Sequence, residues 1–330
     1  MSISDQLIRL LHLLADGRFH SGTELARALD VGRSAIWKHL QALDGLGVEL
    51  VGVSGKGYKL QRPLQLLDRQ HILDQLGPRA EALISELEIH PAIASTNGHL
   101  MELARHVPAA GRVCLAEYQT AGKGRRGRTW ISPFGHNIYL SVLWCYQTGP
   151  GAIAGLSLAL GVAVARALSR AGVQEVGLKW PNDIYWRGRK LAGILIEVSG
   201  ESSGPCHAVA GLGLNLYLPE RQAEPIEQAW VDLRHIMGEE VMRQRNRLVA
   251  LLLNEILPML ADFEQRTLQG FIDDWRNFDC MRGKAVNVLI GEQAFAGIVR
   301  GIDDQGLLLL EDHAGRVRAF ASGEVSFRPA

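Results

Sequence analysis

Apolar positions in the first 62 residues recur at helical spacing and then switch to alternation. Leu7, Leu10, Leu11 and Leu14 share one face of a helix that Asp16-Gly17 ends. Ser21 is placed to cap a second helix, with Glu24 as its capping-box partner and Leu25, Ala26 and Leu29 as the buried face. A tight turn, Asp30-Val31-Gly32, leads into a third helix from Arg33 to Leu43 with the seam Ile36, Leu40 and Leu43. Two short helices across such a turn form a helix-turn-helix pattern. Val48 to Val53 and Tyr58 to Leu60 then flank Ser54-Gly55-Lys56-Gly57, the hairpin of a winged helix.

From about Leu66 to Cys280, strand and helix patterns mix. Predicted strands are Val113 to Tyr118, Asn137 to Trp144, Val176 to Trp180, Ile194 to Val198 and His207 to Leu216. Predicted helices are Asn97 to His106, Ala152 to Ala171 and Arg245 to Glu264. The strongly apolar run from Ala152 to Ala165 is too short to span a bilayer and suits a core helix. From Arg282 onward the helical period stops. Val286, Val288 and Ile290 alternate, and Ala294 to Arg300, Leu307 to Glu311, Arg316 to Phe320 and Val325 to Arg328 follow between turns. Five short strands predict a small SH3-like β-barrel. The chain is therefore expected to be an α+β multidomain protein: a winged helix-turn-helix over 1–62, a mixed α/β core over 66–280 and a barrel over 281–330.

Composition narrows the class. At 330 residues, 47% hydrophobic and 21% charged, the chain is globular. Lysine and arginine balance aspartate and glutamate at 35 each, which excludes nucleic-acid binding through bulk positive charge but not through a local patch. Residues 1–62 hold eight Lys/Arg against six Asp/Glu. The cysteines Cys114, Cys145, Cys206 and Cys280 stand far apart, without a CxxC pair or a histidine at zinc spacing. They read as buried free thiols of a cytoplasmic protein, with no metal ligand assigned. No signal-type cleavage site follows the amphipathic N-terminus.

Opposite the seam of the third helix lie Arg33, Ser34, Trp37, Lys38 and Gln41, donors and one aromatic suited to phosphates and base edges. Lys56 and Lys59 on the wing would reach the flanking nucleic-acid backbone. The same residues also fit the solvated face of a protein-contact hairpin.

The densest chemistry is EYQTAGKGRRGRTWISPFG, Glu117 to Gly135. Lys123, Arg125, Arg126 and Arg128 alternate with Gly122, Gly124 and Gly127. Glycines let backbone amides approach an anion while the cations neutralise it. The loop lies between two predicted core strands, where Trp130 and Phe134 can fold it over a pocket. It is no Walker motif. Ser95-Thr96-Asn97, between a predicted strand and a helix start, is alone only an N-cap. Lys179-Trp180-Pro181-Asn182-Asp183, Arg189-Lys190-Leu191-Ala192-Gly193 and Gly211-Leu212-Gly213-Leu214-Asn215 close or open strands, although glycines in strands often mark only close packing.

Together these motifs resemble the bifunctional biotin–[acetyl-CoA-carboxylase] protein ligases that also repress the biotin operon, over essentially the whole chain. One departure stands out: the family loop usually reads GRGRRGR, and Lys123 replaces its first arginine, losing the planar fork. The resemblance implies a class II synthetase-like core that joins biotin to ATP. It implies biotinyl-5′-AMP as intermediate and corepressor, with Mg2+, an apo biotin carboxyl carrier protein, operator DNA and a homodimer formed on adenylate binding. It places Ser95, Thr96, Asn97, Gln119, Gly122, Lys123, Gly124, Arg125, Arg126, Arg128, Trp130, Lys190 and Gly193 around the ligand. Gly211 and Gly213 would also line the binding site, Asn182 and Asn215 would serve the nucleotide–magnesium side, and Trp230 would be a lid over the adenine end or an ordinary hydrophobic anchor. Lys190, Arg125 and Asp183 are the implied catalytic groups. Two alternatives stay open on the residues alone: a lipoate–protein ligase, and a ligand-sensing repressor without catalysis.

Overall fold

The computed structural model describes residues 4–62, 64–201, 204–321 and 324–326. The amino-terminal unit comprises α1 (Asp5–Leu14), α2 (Gly22–Leu29), α3 (Arg33–Asp44) and a hairpin of β1 (Leu50–Val53) and β2 (Gly57–Leu60). Ser21 and Glu24 form the expected capping box. All ten leucine, isoleucine and alanine positions expected on the three seams are buried. Gly57 closes the wing at φ 101°, where a Cβ would sit 2.1 Å from the His20 carbonyl oxygen, so only glycine fits.

The centre is one seven-stranded sheet of order β3-β4-β5-β9-β8-β7-β6. Its strands are β3 (Glu86–His90), β4 (Arg112–Ala116), β5 (Ile138–Tyr146), β6 (Val176–Lys179), β7 (Asp183–Trp186), β8 (Arg189–Gly200) and β9 (Cys206–Leu214). β3 and β4 are parallel; every other neighbouring pair is antiparallel. Two short helices, α4 (Arg69–Leu73) and α5 (Pro78–Leu83), precede β3, and α6 (Thr96–His106) joins β3 to β4. α7 (Leu156–Arg170) precedes β6, while α8 (Glu220–Ala223), α9 (Leu233–Met237), α10 (Arg245–Arg266) and α11 (Ile272–Phe278) follow β9.

Alternation along β5 explains the two layers. Ile138, Leu140, Val142, Trp144 and Tyr146 point into the main core with α7 and α10. Leu143 points the other way, joining Cys114 and Val209 under Leu100 and Ala104 of α6. The stretch Pro150–Arg170 is long and apolar enough to cross a membrane by composition, yet 67% of that window is buried within the fold, as a core helix requires. β3 is the strand expected before Ser95, there without bounds, whereas β7 and the short helices were not expected.

The carboxy-terminal strands β10 (Ala285–Ile290), β11 (Gln293–Ile302), β12 (Leu308–Glu311), β13 (Val317–Phe320) and β14 (Glu324–Ser326) form an antiparallel sheet of order β13-β12-β11-β10-β14. β13 and β14 are its edges, and no pairing among the described residues closes it into a barrel. Arg328 of the expected last strand lies outside the described residues. The Trp180 indole donates to the Gly306 carbonyl (3.0 Å), docking this sheet against the core.

The amino-terminal unit is joined to the core by more than its linker. Phe134 is buried in the same cluster as Leu43, Leu46 and Leu64, and its amide donates to Leu46 (3.0 Å). His136 Nε2 lies 3.2 Å from the Gly47 carbonyl. Burial, reinforced by the positive charges of Arg245 and Arg62 and opposed by the Gly47 bond, holds this imidazole down at about 4. Beside it, fully buried Arg245 pairs with Glu117, the residue at which the glycine–arginine segment begins.

Candidate active site

Register builds the floor of a pocket on the α6 face of the sheet. Tyr139, Gly213, Gly193 and Asp183 form one row across β5, β9, β8 and β7, and Ser141, Gly211 and Leu195 form the next. The glycines in these rows make room for other side chains. A Cβ on Gly213 would fall 2.4 Å from the Trp130 ring, and one on Gly211 would fall 2.1 Å from Asn97 Oδ1. The GxG spacing of β9 is thus the imprint of two side chains that lie on the sheet.

One wall is the start of α6. Ser95 caps it, accepting from the Gly98 amide (3.3 Å), and Ser95, Thr96 and Asn97 are all buried. Thr96 donates its amide to Gln119 Oε1 (2.9 Å), Gln119 Nε2 donates to Ser132 (3.2 Å), and Ser132 donates to the Trp130 carbonyl (2.9 Å). Asn97 Nδ2 donates to Glu197 (2.9 Å), and Ser141 Oγ donates to Asn97 Oδ1 (2.6 Å). Ser141 and Glu197 were not expected as site residues. The signal for Ser141 was a single hydroxyl inside the apolar strand IYLSVLW; for Glu197 there was none.

The roof is the glycine–arginine loop, which folds as a small hairpin. Lys123 and Thr129 form a bridge, Gly124 donates its amide to Arg128 (2.7 Å) and Trp130 donates its amide to Gly122 (2.9 Å). Arg126 and Gly127 turn it with φ of 56° and 73°. The Arg125 guanidinium donates to Asn182 Oδ1 (2.9 Å), while Asn182 Nδ2 donates to the Ile194 carbonyl (2.6 Å). Lys123 Nζ stands 3.8 Å from Glu197. The Trp130 indole N–H is buried and finds no acceptor among the described residues, a donor left for a ligand.

Lys190 Nζ lies 2.8 Å from Asp183 and 5.6 Å from the centre of the Trp130 ring. Both side chains of the ion pair are largely buried, and both line the cavity. Their neighbours on its wall include Lys179, whose ammonium donates to the Tyr185 hydroxyl (3.0 Å).

Of the expected site residues, Ser95, Thr96, Asn97, Gln119, Lys123, Gly124, Arg125, Arg126, Arg128, Trp130, Asn182, Asp183, Lys190, Gly193, Gly211 and Gly213 all line this one pocket. Gly122, Asn215 and Trp230 stand outside its lining. Gly122 packs against the Trp130 carbonyl, Asn215 Nδ2 donates to Val231 (3.2 Å), and Trp230 forms a backbone bridge with Lys190. These last two therefore hold the strand that carries Lys190.

The expected DNA face is separate. Arg33, Ser34, Trp37, Lys38, Gln41 and Lys56 are exposed, Trp37 by 55%. Arg33, Trp37 and Gln41 line a groove between α3 and the wing tip. Lys59 instead lies over the Phe19 ring at 5.1 Å.

Comparison with known proteins follows the same division. The chain is 41% identical over 323 residues to the bifunctional ligase/repressor BirA of Escherichia coli (strain K12), covering 98% of this chain and 97% of that one. It belongs to the BirA family. The BirA of Bacillus subtilis (strain 168) is 29% identical over 93% of this chain and 94% of its own. Family models match residues 6–59 (HTH domain), 90–215 (Biotin/lipoate A/B protein ligase family) and 283–328 (Biotin protein ligase C terminal domain). Among solved structures, the biotin protein ligase from Aquifex aeolicus in complex with biotin and ATP superposes with TM-score 0.61 at 27% identity, covering 74% of this chain and 98% of that one. The helix-turn-helix unit, the ligase core and the β-rich carboxy-terminal unit are thus those of a BirA-type ligase and repressor.

Proposed function

We propose that the pocket joins biotin to ATP as biotinyl-5′-AMP and passes biotin to a lysine of a biotin carboxyl carrier protein. The observation that carries this reading is Lys190, held by Asp183 beneath a hairpin with four cations. Biotin carboxylate and the α-phosphate are both anionic, and two unit charges ~4 Å apart repel by roughly 4 kcal/mol at an effective dielectric near 20. Lys190 would sit between them and stabilise the charge that develops in transfer. Arg125, fixed by Asn182, would hold the phosphate from above. Ser95, Thr96, Gln119, Lys123 and Gly124 would bind biotin; Arg126 and Arg128 would add charge at the phosphates. Asp183 would orient Lys190 and receive a hydrogen bond from the attacking amine. Trp130 and the floor of Gly193, Gly211 and Gly213 would keep water from the mixed anhydride.

Magnesium fits as the partner of the triphosphate. A hard cation takes phosphate oxygens plus one or two carboxylates, and Asp183 is the carboxylate on the pocket wall. With Asn182 it would hold the ion, whose bound charge offsets that of the phosphates.

The reading extends to three functional units, over 1–62, 66–280 and 281–330, in a cytoplasmic protein with a class II synthetase-like core. The last unit would be an SH3-like barrel beside the nucleotide and carrier. Arg33, Ser34, Trp37, Lys38, Gln41 and Lys56 would contact operator DNA, with biotinyl-5′-AMP as corepressor. Adenylate bound under the hairpin would complete a homodimer surface, so that two recognition helices meet a two-fold operator.

Incubation with labelled biotin, ATP, magnesium and an apo-carrier domain tests the enzyme. Labelled carrier is expected. Binding without transfer would select a sensor, and labelling only with lipoate would select the sister ligase.

A further inference from the structure

A second cluster of metal-binding side chains lies on the α6 face at the edge strand, outside the pocket. Glu88 and His90 share one face of β3, two residues apart. Cys114 faces Glu88 across the parallel β3–β4 ladder. His99 reaches them from the first turns of α6. One ring nitrogen from each histidine and the Cys114 sulfur lie within 4.8 Å of one another. The two Nε2 atoms also converge on one point: they stand 3.0 Å (His90) and 2.8 Å (His99) from the same Glu88 oxygen, with the rings edge to face at 4.8 Å. The thiol is fully buried and the other three side chains are between 22% and 30% exposed, so an ion has a way in.

We propose that His90, His99, Cys114 and Glu88 form a site for a zinc-class divalent cation. Two imidazoles, a thiolate and a carboxylate are a tetrahedral zinc or cobalt set and a poor one for magnesium. Bond lengths of about 2.0 Å to nitrogen and 2.3 Å to sulfur place tetrahedral donors roughly 3.3–3.6 Å apart, so closing the cluster takes shifts of about 1 Å. Binding exchanges the thiol proton for the metal, with the proton released to solvent. The ligand charges then cancel that of the dication, while Arg112, 3.0 Å from Glu86 and 3.8 Å from Glu88, already has its own carboxylate. Burial first and Glu88 second push the Cys114 thiol well above its ordinary range, so metal binding has to displace a firmly held proton.

The consequence is mechanical. The ion would tie β3 and β4 to α6 one turn beyond Ser95-Thr96-Asn97, fixing the pocket wall from behind. Spacing along the chain concealed the set, because its members come from three elements that only the fold assembles.

Cobalt titration of the chelator-stripped full-length protein tests this independently of ligase activity. One equivalent should bind with a thiolate-to-cobalt absorption band. Cys114→Ser should abolish the band, His99→Gln should weaken binding about tenfold or more, and Cys145→Ser should leave it unchanged. No thiolate band, or a band that survives Cys114→Ser, would overturn the site. Should Cys114→Ser fail to fold, the half-buried His99→Gln variant decides: undiminished affinity there overturns the proposal.

Discussion

The pocket and the recognition face both concentrate cations, but they hold them differently. In the pocket Lys190 is gripped by Asp183 and Arg125 by Asn182, at 2.8 and 2.9 Å, beneath a hairpin turned on left-handed backbone. On α3 and the wing, Arg33, Lys38 and Lys56 stand exposed. The first arrangement settles its geometry before a ligand arrives, as charge stabilisation in a transition state demands. On the proposed operator face, long side chains would have to find phosphates, so binding there would follow the salt concentration. Cation count alone does not separate the two regions, and Lys123, Arg126 and Arg128 of the hairpin are exposed too; the anchoring of Lys190 and Arg125 is what differs.

The contrast yields expectations of decreasing size. Lys190→Ala should slow adenylate formation on the order of a thousandfold, by about 4 kcal/mol, without a comparable loss in thermal stability. Near-normal pyrophosphate release would remove Lys190 from its role.

Next is the joint between the two regions. His136 is buried neutral, and its folded pKa of about 4 lies below the ordinary 6.5. The unfolded chain therefore binds the extra proton first as pH falls. Its contribution is complete above about pH 6.5 and is lost toward pH 4, on the order of 3 kcal/mol in all. Melting curves across this window should fall more steeply for the native chain than for His136→Gln; parallel slopes would refute the assignment.

Arg125→Ala should release biotinyl-5′-AMP some tenfold faster or more, about 1.4 kcal/mol at the lower figure. A chase experiment that finds unchanged release would break the claim that anchoring matters. The smallest effect belongs to Lys38→Ala. Operator binding should weaken by about 1 kcal/mol with its salt slope reduced by about one, while biotin transfer is unaffected. A loss of transfer would mean that the two regions are not separable at that residue.

Much of this was legible in the sequence because it rests on local chemistry. Capping residues, seams and glycine turns gave the winged helix nearly residue by residue. The glycine–arginine segment stood out because its charges are contiguous. The strand before Ser95 had no readable bounds because β3, an edge strand with one wetted face, reads ELEIH, mostly polar; β7 was missed because Ile184 to Trp186 fall in the short stretch between two motifs that reads as a turn. Ser141 and Glu197 join the site only through sheet register. Asn215 ends a motif and Trp230 belongs to none, yet both support the strand of Lys190 from outside the cavity. Closure of the last sheet could not be read from alternation, which fixes faces but not which edges meet.

Phe134 has a consequence for how far the chain can be taken apart. Its ring belongs to the core of the amino-terminal unit, while its backbone belongs to the segment between the pocket hairpin and β5. Cutting away residues 1–62 would strip the cover from Phe134 and Leu64 and remove the Gly47 carbonyl that His136 faces. What remained would carry a fresh apolar wound beside the ligand loop. Modularity in the order of the domains is therefore not modularity in their folding: an enzyme without residues 1–62 would need a new surface over Phe134 and Leu64.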